Sequence, residues 1–456
     1  MAINFVNLVA AQEEAFTNLK IKDNGPANPS SLTRLKQKLA PCGAKLPPIY
    51  RQAAFEPFLA VVNSLTTADF AKLEKPSSNL GFAMFDIAQA LIQNAAGYEA
   101  DATGGFEEVV SDLYDGFLSA EDRHNIKLPD HTILPPLVKW GNCEDGPYTV
   151  TTDAMASFNM KCAIVNLPPS LARGGLVGWG CLAHEVAGHD ISHADNGLLA
   201  EMAQAVNTAI KSDAKIKSTN LRNTLASYWS DRVDESASDL MGIMNMGPAA
   251  GAVVIPFFRA LLGAFGSPQK LRSDGPADDE HPADILRVML GASGVSLLSF
   301  SDHQDWSNAI LSEGLKDMTT IILNNHVTVD KVSAQRSADI VAEVITQTQF
   351  TKLNGHSLQE IQDWANDDEL IVKGLRGALQ RNTEPGPDIM DGAYAAHVVA
   401  AAVYEALLVK QEVAPLFTRM ISLLKNMHDD NPSWGPLFVA HPGDLKRDHI
   451  INLRRR

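Results

Sequence analysis

The stretch "WGCLAHEVAGHDISHADNGL", residues 179–198, carries three histidines, His184, His189 and His193, with Glu185 directly after the first. A helix turns ~100° per residue, so side chains four apart share a face while side chains five apart diverge by ~140°. His184 and His189 are five apart; His189 and His193 are four apart. Two placements therefore stand open. A regular helix aligns His189 with His193 and puts Asp190 beside them. A single-turn π-bulge near Val186 to Gly188, with Gly188 relieving the crowding, aligns His184 with His189 and puts Glu185 beside them. Either way the stretch predicts a helix over 172–193 with two histidines on one face, half of a zinc site already oriented.

Outward from this helix the pattern is helical almost everywhere. The 3.6-residue period predicts helices near 3–20, 50–63, 80–96, 105–119, 197–213, 218–245, 249–264, 281–291, 303–324, 332–348, 357–380, 390–409 and 412–427. Strand-like residues gather just before the histidines, in "PYTVTT" (147–152) and "MKCAIVNLP" (160–168). Proline and glycine clusters mark loops at 24–30, 129–147, 266–282 and 383–391. The expected fold is mainly α (α+β), helices around a small sheet. It divides into an N-terminal helical region (1–130), a central region holding the motifs (131–295) and a C-terminal helical region (296–456) packing on the centre.

Composition removes several classes of function. The chain has 456 residues, 45% of them hydrophobic, enough for a large buried core. Lys+Arg 38 against Asp+Glu 54 gives a net charge of -16, which repels nucleic acid and anionic membrane surfaces alike. No apolar run reaches the ~18 residues of a membrane span, and "AAHVVAAAVYEALLV" (395–409) reads as a buried helix holding a satisfied core histidine, His397. The N-terminus lacks the basic start and apolar run of a secretory signal. Cys42, Cys143, Cys162 and Cys181 form no C-x-x-C pair, so the expectation is a reducing, cytoplasmic setting without a disulfide framework.

A second motif follows in "SDRVDESASDLMGIMNMG" (230–247), within the helix expected over 218–245. Glu235 and Asp239 lie four apart on one face, while small Ser236, Ala237, Ser238 and Gly242 allow another helix to come close. Carboxylates on a helix so rich in apolar neighbours need partners. "DESASDLMG" resembles the glutamate-helix motif of thermolysin-like gluzincin peptidases, [ND]-E-x-x-S-D-[IL]-x-G. "HEVAGH" (184–189) is similar to the H-E-x-x-G-H motif of the dipeptidyl peptidase III family, with Asp234 standing where that family's later motif has its first Glu. Together these resemblances span about 60 residues. They imply one Zn2+ per chain held by His184, His189 and Glu235, Glu185 as general base, and Asp239 orienting His184, in a zincin-like core.

Zinc hydrolysis also needs a group for the developing oxyanion. "HPADILR" (281–287) resembles an H-P-x-x-x-x-R segment of some gluzincins, making His281 the candidate and Arg287 a companion. Tyr148 and Tyr228 carry further phenol donors, and Asn166, near the end of the second strand, is placed for a substrate backbone. The expected function is a zinc-dependent metallopeptidase acting on a peptide or small amide, with no nucleic-acid or membrane partner. Two alternatives stand: a zinc hydrolase of a non-peptide amide or ester, and a non-catalytic zinc-containing binding protein with His193 as a fourth ligand.

Overall fold

The computed structural model describes residues 3–431 and 434, apart from 76, 120–122, 124, 131–133, 156, 157 and 188. The fold is mainly α: 63% helix against 7% strand, the latter in two small three-stranded sheets. Among the described residues no helix is long and apolar enough to cross a membrane. All four cysteines are free.

The first sheet places the site. It comprises β1 (Leu134–Trp140), β2 (Tyr148–Val150) and β3 (Cys162–Leu167), with β3 central, parallel to β1 and antiparallel to β2. The last two are the strands expected from the sequence, whereas β1 lies in a stretch read as loop because of Pro135 and Pro136. As an edge strand with a register shift between Leu134 and Leu137, β1 tolerates prolines, whose missing N–H groups cost no bond on its unpaired side. Val138, Trp140, Val165 and Leu167 enter the main core, while Leu134, Leu137, Cys162 and Ile164 face a smaller cluster with residues 32–95. The parallel pair is thus covered on both faces, as parallel strands usually are.

The second sheet corrects another expectation. The helix foreseen over 303–324 ends at Gly314, and its tail becomes β5 (Ile321–Leu323), paired with β4 (Asp274–Gly275) and β6 (Val327–Val329). Asn324 and Asn325 both have positive φ, the conformation a tight hairpin turn requires and one asparagine tolerates.

The helix expected over 172–193 is broken into pieces. Leu176–Trp179 forms one turn, Leu182–Ala187 a short histidine helix, and Ile191–Ala194 a 3-10 turn. Glycines explain the breaks: Gly175 has φ +71°, and a Cβ on Gly180 would lie 2.8 Å from the Val253 side chain, so close packing overrides helical regularity. The π-bulge expected at Val186 to Gly188 includes Gly188, which lies outside the described residues; the α-helix ends at Ala187 and His189 sits in the following turn.

The helix expected over 218–245 is two helices, Thr219–Ser230 and the carboxylate helix Val233–Met246, separated at Asp231 and Arg232. Gly247, at φ 65° and ψ -157°, then turns the chain into an apolar helix, Pro248–Ala264, with proline at its first position. The histidine helix packs directly on the carboxylate helix. A Cβ on Gly242 would fall 2.9 Å from the backbone C and O of Ala183, so the approach depends on glycine there.

Candidate metal centre

Glu235 leaves the first turn of the carboxylate helix and is buried, 7% exposed. Its two oxygens face different histidines: Oε2 lies 3.3 Å from His184 Nε2 and Oε1 3.4 Å from His189 Nε2. His184, His189 and Glu235 offer donor atoms all within 4.8 Å of one another, and the two imidazole rings stand 5.2 Å apart, edge to face. Although His184 Nε2 is so near, Glu235 Oε2 is a buried oxygen in no hydrogen-bond geometry. A buried carboxylate oxygen left in this state is costly. Two imidazole nitrogens and one carboxylate are the donor set a zinc ion takes, and a cation among them would satisfy that oxygen.

Each histidine has its own aspartate behind it. His184 Nδ1 lies 2.8 Å from Asp239 Oδ1, and His189 Nδ1 lies 3.5 Å from Asp234 Oδ2. A carboxylate on Nδ1 fixes the ring and leaves Nε2 toward the shared glutamate. Asp239 is in turn gripped by Arg287, whose Nη2 donates to Oδ1 at 2.6 Å and whose Nε donates to Oδ2 at 2.9 Å. Arg287 comes from the helix Asp284–Ser296 and is 5% exposed, so this is a buried bidentate pair.

The carboxylates and the cations around them set one another's charge. Burial would raise the Glu235 carboxyl, but His184, Arg287 and His281 outweigh it and bring it down to about 2. Burial and the Arg287 charge would lower His184, yet Asp239 and Glu235 hold it up at about 10. Asp239 is held well below the usual carboxylate range against its burial, first by Arg287 and then by His184.

Glu185 is 8% exposed and lines the same cavity as His184, His281 and Arg287. Thr149, on edge strand β2, donates to its carboxylate Oε2 at 3.2 Å and to its main-chain carbonyl at 2.7 Å. The edge strand is thereby tied to the residue beside His184. His281 is half exposed; its Nε2 lies 3.5 Å from Glu235 Oε1 and its Nδ1 3.2 Å from Asp279 Oδ1. Its loop is held by Arg232, which donates to the carbonyls of Asp279 at 2.6 Å, Pro276 at 3.0 Å and His281 at 3.3 Å.

The other sequence candidates lie elsewhere. Tyr148 points to the opposite side of β2 from Thr149, where its hydroxyl donates to Asp86 at 2.9 Å and accepts from the Lys139 ammonium at 2.8 Å. Asn166 is fully buried and its amide donates to the Gly146 carbonyl at 3.4 Å, holding the β1–β2 connection. Tyr228 is fully buried too, its hydroxyl accepting from the Ala283 N–H at 2.9 Å. Asp190 is buried against Tyr114, accepts from the Thr152 N–H at 2.7 Å and stands outside the His184–His189–Glu235 cluster. His193 faces Asp234 at 3.9 Å and stands outside the triplet. His397 is a satisfied core residue, accepting from the Tyr394 N–H at 3.0 Å and facing Asp368 at 3.0 Å.

Sequence reasoning assigned no role to Thr149, Arg232 or Cys181 and named Asp234 only as a departure from a motif. Thr149 was legible by strand alternation from Tyr148, and Asp234 by its place beside Glu235. Cys181 lines the cavity as a neutral thiol, since burial first and then Glu185 push its pKa well up. No protein-family model matches the chain, and no curated protein or solved structure matches it.

Proposed function

We propose that this chain is a zinc-dependent hydrolase of amide bonds, peptide bonds first among them, with His184, His189 and Glu235 as the metal ligands. The observation that carries the reading is the double relay: two Nε2 atoms meet the two oxygens of one glutamate, and each Nδ1 is backed by a separate aspartate. The likeness of "HEVAGH" and "DESASDLMG" to peptidase motifs supports it from the sequence. A bound zinc ion supplies carbonyl polarisation and a water of lowered pKa.

The chain's own residues divide the remaining work. Glu185, directly after a ligand and facing the cavity, accepts the proton of the attacking water and returns it to the leaving nitrogen. Thr149 orients that carboxylate. His281, held by Asp279 and by the Arg232-pinned loop, donates to the oxyanion. Arg287 keeps Asp239 ionised and thereby His184 oriented.

Two measurements test this. Metal analysis of the purified protein is expected to give one zinc per chain, lost in His184→Ala. Glu185→Gln is expected to keep the zinc and lose ~10²- to 10⁴-fold in kcat on a cleaved peptide, the usual worth of a general base. A protein free of zinc, or Glu185→Gln at full activity, overturns the proposal.

A further inference from the structure

The cavity beside the metal centre, about 290 Å³, does not stop at the reacting groups. From His184, Glu185, His281 and Arg287 it continues along the apolar helix Pro248–Ala264, whose wall runs from Ala250 through Val254, Phe257, Phe258 and Leu261 to Leu262. These positions fall on one helical face. Twelve steps of ~1.5 Å from Ala250 to Leu262 make the face about 18 Å long. On this face Phe257 is 1% exposed, Val254, Phe258, Leu261 and Leu262 are partly exposed, and Phe265 just beyond the helix is 54% exposed. This helical wall is thus apolar and reaches the surface toward Phe265, while Arg272 and Asp284 also line the groove.

A peptide laid in this groove would find little for its own amides. A helix spends its backbone N–H and C=O groups on its own i to i-4 bonds, so that wall offers side chains only. Several polar groups on the facing wall are engaged as well: the Gly180 N–H donates to the Val177 carbonyl, the Gly146 carbonyl accepts from Asn166, and Arg272 pairs with Asp279 and Asp284. Burying a peptide backbone there would leave groups without partners. A methylene chain has none to satisfy.

We propose that the substrate is an amide carrying a long unbranched acyl chain, an N-acyl amino acid or N-acyl peptide, with the chain along the Ala250–Leu262 face and the amide beside Glu185 and His281. This rests on the hydrolase reading above. Water adds to the acyl carbon, the C–N bond breaks, and a fatty acid and a free amine leave. Glu185 carries the proton from the water to the departing nitrogen.

Binding and turnover test it separately. The linear fatty acid cis-parinaric acid, titrated into full-length Glu185→Gln protein, is expected to saturate at one per chain, and to bind at least tenfold more weakly when Val254→Trp blocks the groove. Leu262→Trp, at the partly exposed outer end, makes the same comparison with less demand on the core. For acetyl-, octanoyl- and dodecanoyl-glycine, kcat/KM is expected to rise about fourfold per methylene, from ~0.8 kcal/mol of transfer free energy each, until the groove is filled. Val254→Trp should move the optimum to shorter chains. Peptide cleavage with a flat acyl series and no parinaric binding overturns the acyl-chain proposal and leaves the hydrolase reading standing. Groove-dependent binding with no hydrolysis of any amide overturns the hydrolase reading instead.

Discussion

Asp239 and Asp234 occupy the Nδ1 sides of His184 and His189, but not equally. Asp239 is buried, 2.8 Å from its histidine and held by Arg287, while Asp234 is 41% exposed at the side chain and 3.5 Å from its own. Losing an outer-shell carboxylate of this kind costs ~10- to 100-fold in metal affinity. Asp239→Asn is therefore expected near the top of that range and Asp234→Asn near the bottom, read by competition with a chelator of known affinity; equal effects would contradict the asymmetry. A ligand histidine must be neutral. Asp239 and Glu235 raise the His184 pKa and so favour its protonated form without metal; under the proposal, zinc uptake would displace that proton. Zinc affinity should then rise with pH between neutrality and about 10, with proton release visible by titration calorimetry in buffers of different ionisation enthalpy. A pH-independent affinity would mean that His184 is not a ligand. The meeting of His184, His189 and Glu235 was legible at this scale because few residue types form such a cluster. Side was not: the phenol of Tyr148 suggested a donor, but strand alternation turned it to Asp86 and gave the site Thr149 instead.

At the scale of elements, the centre depends on how closely two helices approach. Gly242 opposes the Ala183 backbone, and an added Cβ at 2.9 Å from the carbonyl carbon and oxygen has no flexible side chain to displace. Overpacking of this kind costs ~1–3 kcal/mol. Gly242→Ala is expected to destabilise the protein by about that amount in denaturant unfolding and, by moving the His184 helix off the Glu235 helix, to weaken zinc binding as well. Lower stability with unchanged zinc affinity would show that the helices yield elsewhere. Arg232 acts on the other flank, through the three carbonyls of the His281 loop. Arg232→Met is expected to keep one zinc per chain while kcat falls by up to ~10²-fold, the scale of a reacting group displaced by about an ångström. A zinc-free variant would instead place Arg232 among the supports of the ligands. Periodicity located most helices but ran the histidine segment and the 218–245 stretch together. In the histidine segment the breaks go with Gly175 and Gly180, which pack against Asn18 and Val253, side chains far off in sequence that no local pattern reveals.

Across the whole molecule, one hydrophobic cluster runs from Leu8 to Leu424 and encloses the helices that carry His184, Glu235 and Arg287. The helical class followed from composition and period, whereas β1, hidden by its prolines, and β4, whose Asp274 pairs with Ile322 of β5, needed partners far along the chain. The size of that core decides what metal removal should do. A small zinc domain unfolds without its ion because the ion is most of its interior. Here the proposed ligands join helices that an extensive apolar core and the buried Asp239–Arg287 pair already hold together. Chelation is therefore expected to leave far-UV circular dichroism at 25 °C unchanged while lowering the thermal midpoint. An ion that binds only the folded state adds about 2.7 kcal/mol at a hundred times its Kd, and more as its concentration rises. Spread over the unfolding entropy of a chain this long, that is a shift of a few degrees, growing with the logarithm of free zinc. A midpoint indifferent to zinc would remove the metal from the folded state, and a collapse of helicity on chelation would make the centre a structural prop.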